Sequence, residues 1–456
     1  MVGASTVSAR EVVAAHLERI DRVNPELNAI VTLRDRGETL ADADRVDQAV
    51  RDGADVPLAG VPFTAKDVIA AAGLPLTAGS PVLKDFVPTQ DATAVARLRA
   101  AGAILLGKTN CPEFAMFGYT KNSLFGETPN PLGPVTVGGS SGGEAASIAS
   151  CCSALGLGGD FGGSLRWPAA CTGTVAIRPT AGRVPLTGQL PAPTLTEPFR
   201  TTPDSMQGRL QVIGPIARTV DDVEVALHVI AGPDGIDPLT ESVVLPWSRE
   251  AHVRAVAVWE GPPDPGVRDD VRAVVRGAAD ALAHMGIEIH DEPPPALERG
   301  VTLYSELRDT DRLRDVRQLI EDHGDQVGED VRQAVAAAEE ADRTDPDPDR
   351  QALWDERDRL LAELLTHLDR FHVLLMPVAT VPPFPLEQPV IVNGREQSTW
   401  DVLAPSRLIS LFGVPAASVP FGASVDGLPI NVQIVGRPFR EDEVLAIAHK
   451  LTEVTT

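Results

Sequence analysis

Two clusters rich in glycine and serine constrain this chain more than any other feature. Residues 138–143 read Gly-Gly-Ser-Ser-Gly-Gly, and residues 160–168 read Asp-Phe-Gly-Gly-Ser-Leu-Arg-Trp-Pro. Glycines let the backbone turn tightly and approach a ligand closely, so that bare N–H groups can stabilise the negative charge that develops on a substrate carbonyl. A serine in such a turn is a candidate nucleophile when a base is near. Ser140 and Ser164 are therefore candidate catalytic residues.

A lysine upstream of both clusters is the candidate base. Lys66 lies in the sequence Val-Pro-Phe-Thr-Ala-Lys-Asp at residues 61–67, in a chain that has 40 basic residues but only five lysines. Burial lowers the pKa of a lysine readily, whereas an arginine stays protonated in every protein environment. A lysine can therefore accept the proton of a serine. Lys66, Ser140 and Ser164 together predict a hydrolase that forms an acyl-enzyme.

Apolar runs alternate with helical patterns along most of the chain. Helical periodicity covers residues 7–23, 41–51 and 92–101. Short apolar runs typical of strands lie at residues 61–65, 103–106, 154–158, 373–376 and 416–419. This alternation predicts an α/β fold, with a layered sheet flanked by helices. Because the C-terminal strands need partners earlier in the chain, we predict a single domain over residues 1–456, with a mainly helical insertion lobe at about residues 250–370.

Two motifs of other protein classes match by letter but not by context. Residues 102–109 fit the phosphate-binding pattern G-x-x-x-x-G-K-T, but a helix is predicted before the first glycine and the middle of the motif is apolar and strand-like. Residues 138–142 fit the G-x-S-x-G turn of α/β-hydrolases, yet none of the nine histidines lies in a recognisable partner motif. We therefore predict neither a nucleotide-binding protein nor a Ser-His-Asp hydrolase.

Charge and cysteine content narrow the function classes further. A net charge of −24 argues against binding to nucleic acid or to an anionic membrane, because both favour clustered Lys and Arg. Residues 1–5 show no secretory signal, and the four cysteines lack metal-ligand spacing. These features predict a cytoplasmic protein with no metal or other cofactor. They leave a small molecule as the expected partner.

The candidate catalytic residues also carry a resemblance to a known family. Lys66, Ser140 and Ser164 resemble the Ser-cisSer-Lys triad of the amidase signature family. Further segments resemble the family and occur in the family's order, at residues 107–114, 125–131, 214–222 and 427–437. The resemblance is weakest at about residues 245–375. The resemblance implies an amidase with one α/β/α domain built on a central mixed β-sheet. A homodimer is a further expectation from the family.

The resemblance implies a role for each residue of the two clusters. Ser164 is the expected nucleophile, Ser140 the proton relay and Lys66 the base, with a cis peptide bond before Ser140. The oxyanion hole is expected from the backbone N–H groups of Phe161, Gly162, Gly163 and Ser164. The expected supporting residues are Ser141, Asp160 and Arg166, of which the last two form a partly buried ion pair.

The substrate pocket is expected to be apolar. Position 161 is Phe where relatives often have Thr, and a tryptophan follows the nucleophile motif. The expected substrate-binding residues are Phe114, Met116, Phe117, Gly139 and Trp167. Core packing is the alternative interpretation of these aromatic residues, since aromatic side chains are commonly buried for stability. The proline-rich segment 190–211 is a candidate lid, because long ordered loops in enzymes are usually functional.

These inferences predict an amidohydrolase that cleaves small apolar or aryl carboxamides, with carbamates or esters as further substrates. One alternative is the glutamine-hydrolysing A subunit of a tRNA-dependent amidotransferase, which is expected to have a polar pocket and to need partner subunits. A second alternative is a catalytically silent binding protein on the same fold. Such a protein is expected to have lost Lys66, Ser140 or Ser164, and all three are present.

Overall fold

A long mixed β-sheet runs through the protein. The computed structural model describes residues 7–321, 326–345 and 349–455, so residues 1–5, on which the prediction about a secretory signal rests, lie outside the described part. The described strands are β1 (Ile30–Leu33), β2 (Pro62–Lys66), β3 (Ile104–Thr109), β4 (Lys121–Asn122), β5 (Gly126–Glu127), β6 (Leu155–Asp160), β7 (Val175–Arg178), β8 (Val212–Ala217), β9 (Ala255–Val258), β10 (Glu288–His290), β11 (Val373–Pro377), β12 (Val390–Val392), β13 (Arg395–Gln397), β14 (Ala416–Ala423) and β15 (Pro429–Gly436). Eleven of them form one sheet in the order β1-β3-β2-β6-β8-β7-β14-β15-β11-β9-β10.

Helices cover this sheet and build the region between β10 and β11. The described helices are α1 (Ala9–Leu27), α2 (Arg36–Arg51), α3 (Thr93–Ala100), α4 (Gly142–Ala149), α5 (Arg166–Thr172), α6 (Met206–Leu210), α7 (Val220–Ile230), α8 (Asp269–His284), α9 (Ala296–Asp309), α10 (Arg314–Leu319), α11 (Glu329–Thr344), α12 (Arg350–Phe371), α13 (Thr399–Val402), α14 (Ala404–Phe412) and α15 (Glu441–Thr455). Within the described ranges, no helix combines the length and the apolar character that crossing a membrane requires.

Strand directions make the sheet mixed. β2 pairs in parallel with both β3 and β6, and β9 pairs in parallel with β10 and β11. The strands from β6 through β8, β7, β14 and β15 to β11 pair antiparallel. The α/β class with a central mixed sheet, predicted from the sequence and the family resemblance, is confirmed.

The sequence patterns located some elements and missed others. Runs predicted as strands correspond to β2, β3, β6, β11 and β14. The sequence pattern does not predict β8, because this strand contains Gly214 and Pro215, and both residue types are rare in strand interiors. The segment at about residues 250–370 contains the helices α8 to α12. It also supplies the strands β9 and β10 to one edge of the sheet.

The phosphate-binding motif is part of the sheet. Lys108 and Thr109 lie in β3, every residue of which is buried. Lys108 Nζ forms a buried ion pair with Asp67, at 3.2 Å from the carboxylate. A Cβ on Gly107 would lie 2.2 Å from the carbonyl oxygen of Thr32 on the neighbouring strand, so this glycine permits close strand approach. Residues 104–109 therefore form a strand and cannot wrap a phosphate.

A buried ion pair fastens the C-terminal helix to the segment after β7. Glu441, the first residue of α15, accepts a hydrogen bond from Arg183 at 2.9 Å, and both side chains are fully buried. The other carboxylate oxygen accepts from the N–H and the hydroxyl of Thr180. α15 in turn packs on β14 and β15. The pair thus joins the C-terminus to the middle of the sheet.

We expect Glu441→Gln to lower the free energy of unfolding by about 3–5 kcal/mol, because the change leaves the Arg183 guanidinium buried without a counter-charge. Thermal and urea denaturation of the purified variant would measure the loss. The matched control is Glu340→Gln, which removes the exposed pair with Arg343 and is expected to cost less than about 1 kcal/mol. Equal losses in the two variants would contradict the role of the buried pair.

Candidate active site

Two parallel neighbours in the sheet bring the candidate catalytic groups together. β2 ends at Lys66 and β6 ends at Asp160, and the two strands pair with Ala65 opposite Leu157. The carboxyl ends of parallel strands lie at the same edge of a sheet. Lys66 therefore lies beside the loop that follows β6, and this loop carries Ser164.

Lys66 is buried and contacts Ser140. Its Nζ donates a hydrogen bond to Ser140 Oγ at 2.5 Å. Burial lowers the pKa of Lys66 to about 8, even though Cys111, Asp160 and Glu144 favour the charged amine. An amine with this pKa loses its proton at mildly alkaline pH, and the neutral form can accept a proton from a serine.

The turn at residues 138–143 holds Ser140 against Lys66. The peptide bond between Gly139 and Ser140 is cis. Ser141 connects this turn to the second cluster, since its N–H donates to the Ser164 carbonyl oxygen at 3.2 Å and its hydroxyl donates to the Gly159 carbonyl oxygen at 3.3 Å. The two glycine-serine clusters are thus bonded to each other through Ser141.

Ser164 presents its hydroxyl to a cavity. Its side chain is only partly buried, and its Oγ forms no hydrogen bond with Ser140 or with any other described residue. Lys66 and Ser140 are therefore already bonded, whereas Ser164 is open to a substrate. A proton transfer from Ser164 to Ser140 requires the two hydroxyls to approach.

A buried ion pair fixes the loop around Ser164. Arg166 donates to both carboxylate oxygens of Asp160, at 2.8 and 3.0 Å, and both side chains have no solvent exposure. Burial by itself raises the pKa of Asp160, but the charge and hydrogen bonds of Arg166, the nearby Arg178 and the Gly163 N–H outweigh it and hold this pKa below its usual range. The pair, expected to be partly buried, is completely buried.

The same carboxylate corrects the expected oxyanion hole. The Gly163 N–H donates to Asp160 at 2.9 Å and so is not free to bind a substrate oxygen. The N–H groups of Phe161, Gly162 and Ser164 have no acceptor among the described residues. Three of the four expected donors are therefore available, because the fourth fixes the loop.

A cavity of about 400 Å³ lies over Lys66, Ser140 and Ser164. Of the predicted substrate-binding residues, Phe114, Met116 and Phe117 line it. Leu190, Pro191 and Gln211 line another wall, so the segment predicted as a lid does border the cavity. The wall contributed by α11 consists of small side chains, which are Ala334, Ala337, Ala338 and Ala341.

Trp167 and Gly139 do not line this cavity, which corrects two predicted substrate contacts. Trp167 is buried, its ring stacks on Phe384 with centroids 6.3 Å apart, and its indole N–H donates to the Gly118 carbonyl oxygen. A Cβ on Gly139 would lie 2.3 Å from the Tyr119 carbonyl oxygen. Both residues therefore serve packing: the alternative interpretation holds for Trp167, and Gly139 allows close backbone contact.

The charged rim of the cavity was missed by the sequence analysis. It comes from α9, α10 and the chain between them, where the family resemblance is weakest, and no motif marks it. The ionisable residues in this rim are Arg308, Asp309, Asp311, Arg312, Arg314 and Asp315. Each is bonded to another protein group. Arg308 pairs with Asp309, Asp311 with Arg350, and Arg312 with Asp342. Arg314 pairs with Asp204, and Asp315 accepts a hydrogen bond from the N–H of Thr202.

Outside this cavity, a second one of about 780 Å³ lies beside α12, lined by Arg209, Trp354 and Phe439 among others. No residue of the two glycine-serine clusters lines it. In the described ranges, no three His, Cys, Asp or Glu side chains are grouped so as to hold a metal ion.

Comparison with known proteins identifies the family. The family model for amidases matches residues 11–445. The A subunit of glutamyl-tRNA(Gln) amidotransferase from Bdellovibrio bacteriovorus is 32% identical over 481 aligned positions, covering 98% of this chain and 94% of that protein. The protein of the same name from Synechococcus sp. strain WH7803 is 33% identical over 479 aligned positions, covering 98% of this chain and 94% of that protein.

Solved structures with the same fold include several hydrolases. The 6-aminohexanoate cyclic dimer hydrolase with bound substrate superposes with a TM-score of 0.82 at 28% identity, covering 99% of this chain and 94% of that chain. A bacterial aryl acylamidase of the amidase signature enzymes superposes with a TM-score of 0.84 at 26% identity, again with 99% and 94% covered. This chain therefore belongs to the amidase signature family and is an amide-cleaving enzyme.

Proposed function

We propose that the enzyme hydrolyses amides through Lys66, Ser140 and Ser164. Ser164 Oγ attacks the substrate carbonyl carbon, and its proton passes to Ser140, whose own proton passes to neutral Lys66. The tetrahedral intermediate collapses when the leaving nitrogen takes a proton back through the same pair, which leaves an acyl group on Ser164. Water then attacks this ester and regenerates the serine. The 2.5 Å contact between Lys66 and Ser140 supports the inner half of this relay.

Backbone N–H groups stabilise the negative charge of the intermediate in this mechanism. Phe161, Gly162 and Ser164 supply the donors, whereas Gly163 fixes the loop through Asp160. Each lost donor of this type typically costs on the order of 3 kcal/mol in the transition state. Arg166 and Asp160 contribute indirectly, since they hold the backbone that presents these groups.

The proposed substrates are small uncharged carboxamides with an apolar or aryl group. The observation that carries this choice is the pairing of every charged residue in the cavity rim with another protein group. A free amino acid needs an available cation and an available anion, because burying an unpaired charge is costly. The apolar side chains of Phe114, Met116 and Phe117 suit an apolar group instead. Carbamates and esters, whose hydrolysis proceeds through the same acyl chemistry, are further proposed substrates.

The second candidate is hydrolysis of glutamine by this chain as the A subunit of a tRNA-dependent amidotransferase. The names of the curated relatives favour it over small-amide hydrolysis, since the two relatives described above, at 32% and 33% identity, are A subunits of glutamyl-tRNA(Gln) amidotransferases. In that case the chain works with partner subunits. Names of the structural neighbours, at 28% and 26% identity, favour a hydrolase that acts on its own substrate. The substrate experiment below separates the two.

The remaining expectations belong to the same proposal. We propose that the protein is one domain over residues 1–456 and acts in the cytoplasm, which agrees with its four free cysteines. A homodimer stays a prediction from the family resemblance. No cofactor takes part in the proposed steps.

Because Lys66 must be neutral to act as the base, kcat/KM is expected to rise with pH through about 8, the value to which burial lowers its pKa. Below that pH, the rate should fall about tenfold per pH unit as the lysine becomes protonated. Initial rates between pH 5.5 and 10, with circular dichroism at each pH to verify folding, would measure this. Lys66→Arg should be inactive at every pH, since a guanidinium stays protonated. A flat profile from pH 6 to 8 would contradict the role of Lys66.

Ser164→Ala is expected to abolish formation of the acyl-enzyme. Ser140→Ala and Lys66→Met should each lower kcat by a factor of roughly a thousand or more. Single-turnover kinetics with detection of the acylated protein by mass spectrometry would test this. Ser242→Ala serves as the control, because Ser242 is exposed and does not line the cavity. Substantial turnover by folded Ser164→Ala would refute the proposed nucleophile.

With the chain alone, kcat/KM for benzamide is expected to exceed that for glutamine at least tenfold. Phe117→Ala should lower the benzamide value roughly 10- to 100-fold and the acetamide value much less, because the lost contact amounts to about 1–3 kcal/mol for the larger group. Phe421→Ala, which removes an aromatic ring outside the cavity, should leave the benzamide-to-acetamide ratio unchanged. Activity on glutamine only, or activity that requires added partner subunits, would favour the second candidate.

A further inference from the structure

A tyrosine from a distant helix contacts the loop that carries the oxyanion donors. Tyr304 lies on α9, and its hydroxyl donates a hydrogen bond to the Phe161 carbonyl oxygen at 3.2 Å. The side chain is almost fully buried, and its ring packs against the ring of Phe161 with centroids 5.7 Å apart. Burial raises the pKa of Tyr304 to about 12, so the hydroxyl keeps its proton and remains a donor.

The contacted carbonyl shares a peptide group with an oxyanion donor. The Phe161 C=O and the Gly162 N–H belong to the same peptide unit, which is planar and trans, since it is not among the cis bonds. In a trans peptide the N–H points away from the C=O. With the carbonyl held by Tyr304, the Gly162 N–H is therefore directed away from α9. A hydrogen bond to the carbonyl also polarises the peptide and strengthens its N–H as a donor.

Gly162 provides the space that this contact needs. A Cβ at position 162 would lie 2.9 Å from the Tyr304 hydroxyl oxygen and 3.4 Å from Arg407 Cγ. The first distance is too short for a real contact, so a side chain at position 162 would push the tyrosine hydroxyl aside. Glycine is favoured here by the proximity of Tyr304, which comes from a part of the chain about 140 residues away.

A buried positive charge lies behind the tyrosine. Arg407 has 5% exposure, and its guanidinium carbon lies 5.5 Å from the centre of the Tyr304 ring. Its Nη1 donates to Ser305 Oγ at 3.1 Å, and the charges of Asp401 and Asp309 also favour its protonated form. This cation lies against the tyrosine ring, and the attraction between them helps to hold Tyr304 in place.

We propose that Tyr304 is a positioning residue of the oxyanion hole, which acts by orienting and polarising the Phe161–Gly162 peptide. The proposal rests on the proposed function of Ser164 as the nucleophile. It extends the catalytic apparatus to α9, a helix that carries none of the family motifs. Tyr304 acts on the charge that develops in the transition state, and its loss should therefore change kcat rather than KM.

A small alkyl fluorophosphonate probe tests this without knowledge of the natural substrate. Ser164 Oγ attacks phosphorus, the P–F bond breaks with release of fluoride, and the serine proton passes to Ser140 and Lys66. The phosphoryl oxygen gains negative charge during attack, as a carbonyl oxygen does. Labelling rates at Ser164, measured by mass spectrometry on the full-length protein, therefore report on the oxyanion hole.

We expect Tyr304→Phe to slow labelling about tenfold, since it removes one hydrogen bond and keeps the ring. The pH at which the labelling rate of this variant falls on the acid side should equal that of the wild type, because Lys66 is unchanged. The matched control is Tyr119→Phe, which also removes one phenol hydroxyl, here bonded to Asp330 on α11; its rate should stay within twofold. Wild-type labelling by Tyr304→Phe would overturn the proposal.

Gly162→Ala supplies an independent test through a double-mutant cycle. In the wild-type background the added methyl group collides with the tyrosine hydroxyl, whereas in Tyr304→Phe the nearest ring carbon lies 3.6 Å away. Gly162→Ala should therefore slow labelling more in the wild type than in Tyr304→Phe. Equal effects in both backgrounds would also overturn the proposal. If Ser164 is not the nucleophile, the result is different, because Ser164 of the wild-type protein would then not be labelled at all.

Discussion

The buried carboxylate of Asp160 is the group on which the active-site structure depends. It ends β6, accepts from the backbone of the following loop, and pairs with Arg166 at the start of α5. Arg166 continues the network to Gln433 on β15 and Ser410 on α14. A charge buried this deeply is stable only when it is paired and hydrogen-bonded. The loop that carries Ser164 is thus bonded to strands and helices from distant parts of the chain.

Burial has the opposite consequence for Lys66. Asp160 has a cation within hydrogen-bonding distance and stays ionised, whereas Lys66 contacts the neutral hydroxyl of Ser140 and has a lowered pKa. Both groups are desolvated, but only Asp160 has a strong counter-charge. Asp160 therefore stays charged, whereas Lys66 can titrate as a base. Catalysis by the proposed mechanism needs both.

The cavity is built from two parts of the chain. β2, β6 and the two glycine-serine clusters supply the residues of the proposed triad. The walls come from the loop at residues 114–118 and from α9 to α11, where the family resemblance is weakest. In this chain those walls combine aromatic and small apolar side chains with ionisable groups that are already paired. In the proposed function, substrate choice depends on these walls, which lie outside the two glycine-serine clusters.

The sequence by itself determined the local features: the glycine-serine turns, the lysine that can titrate, the strands β2, β3 and β6, and the α/β class. Glycine content, charge type and apolar periodicity act over a few residues, so a local pattern can predict them. Only the tertiary structure decided that Trp167 faces the core and that the Gly163 N–H is taken by Asp160. It also decided that Tyr304, from α9, donates a hydrogen bond to the Phe161 carbonyl oxygen in the loop after β6. These outcomes depend on which distant elements pack against a residue, and the backbone pattern at that residue carries no information about them.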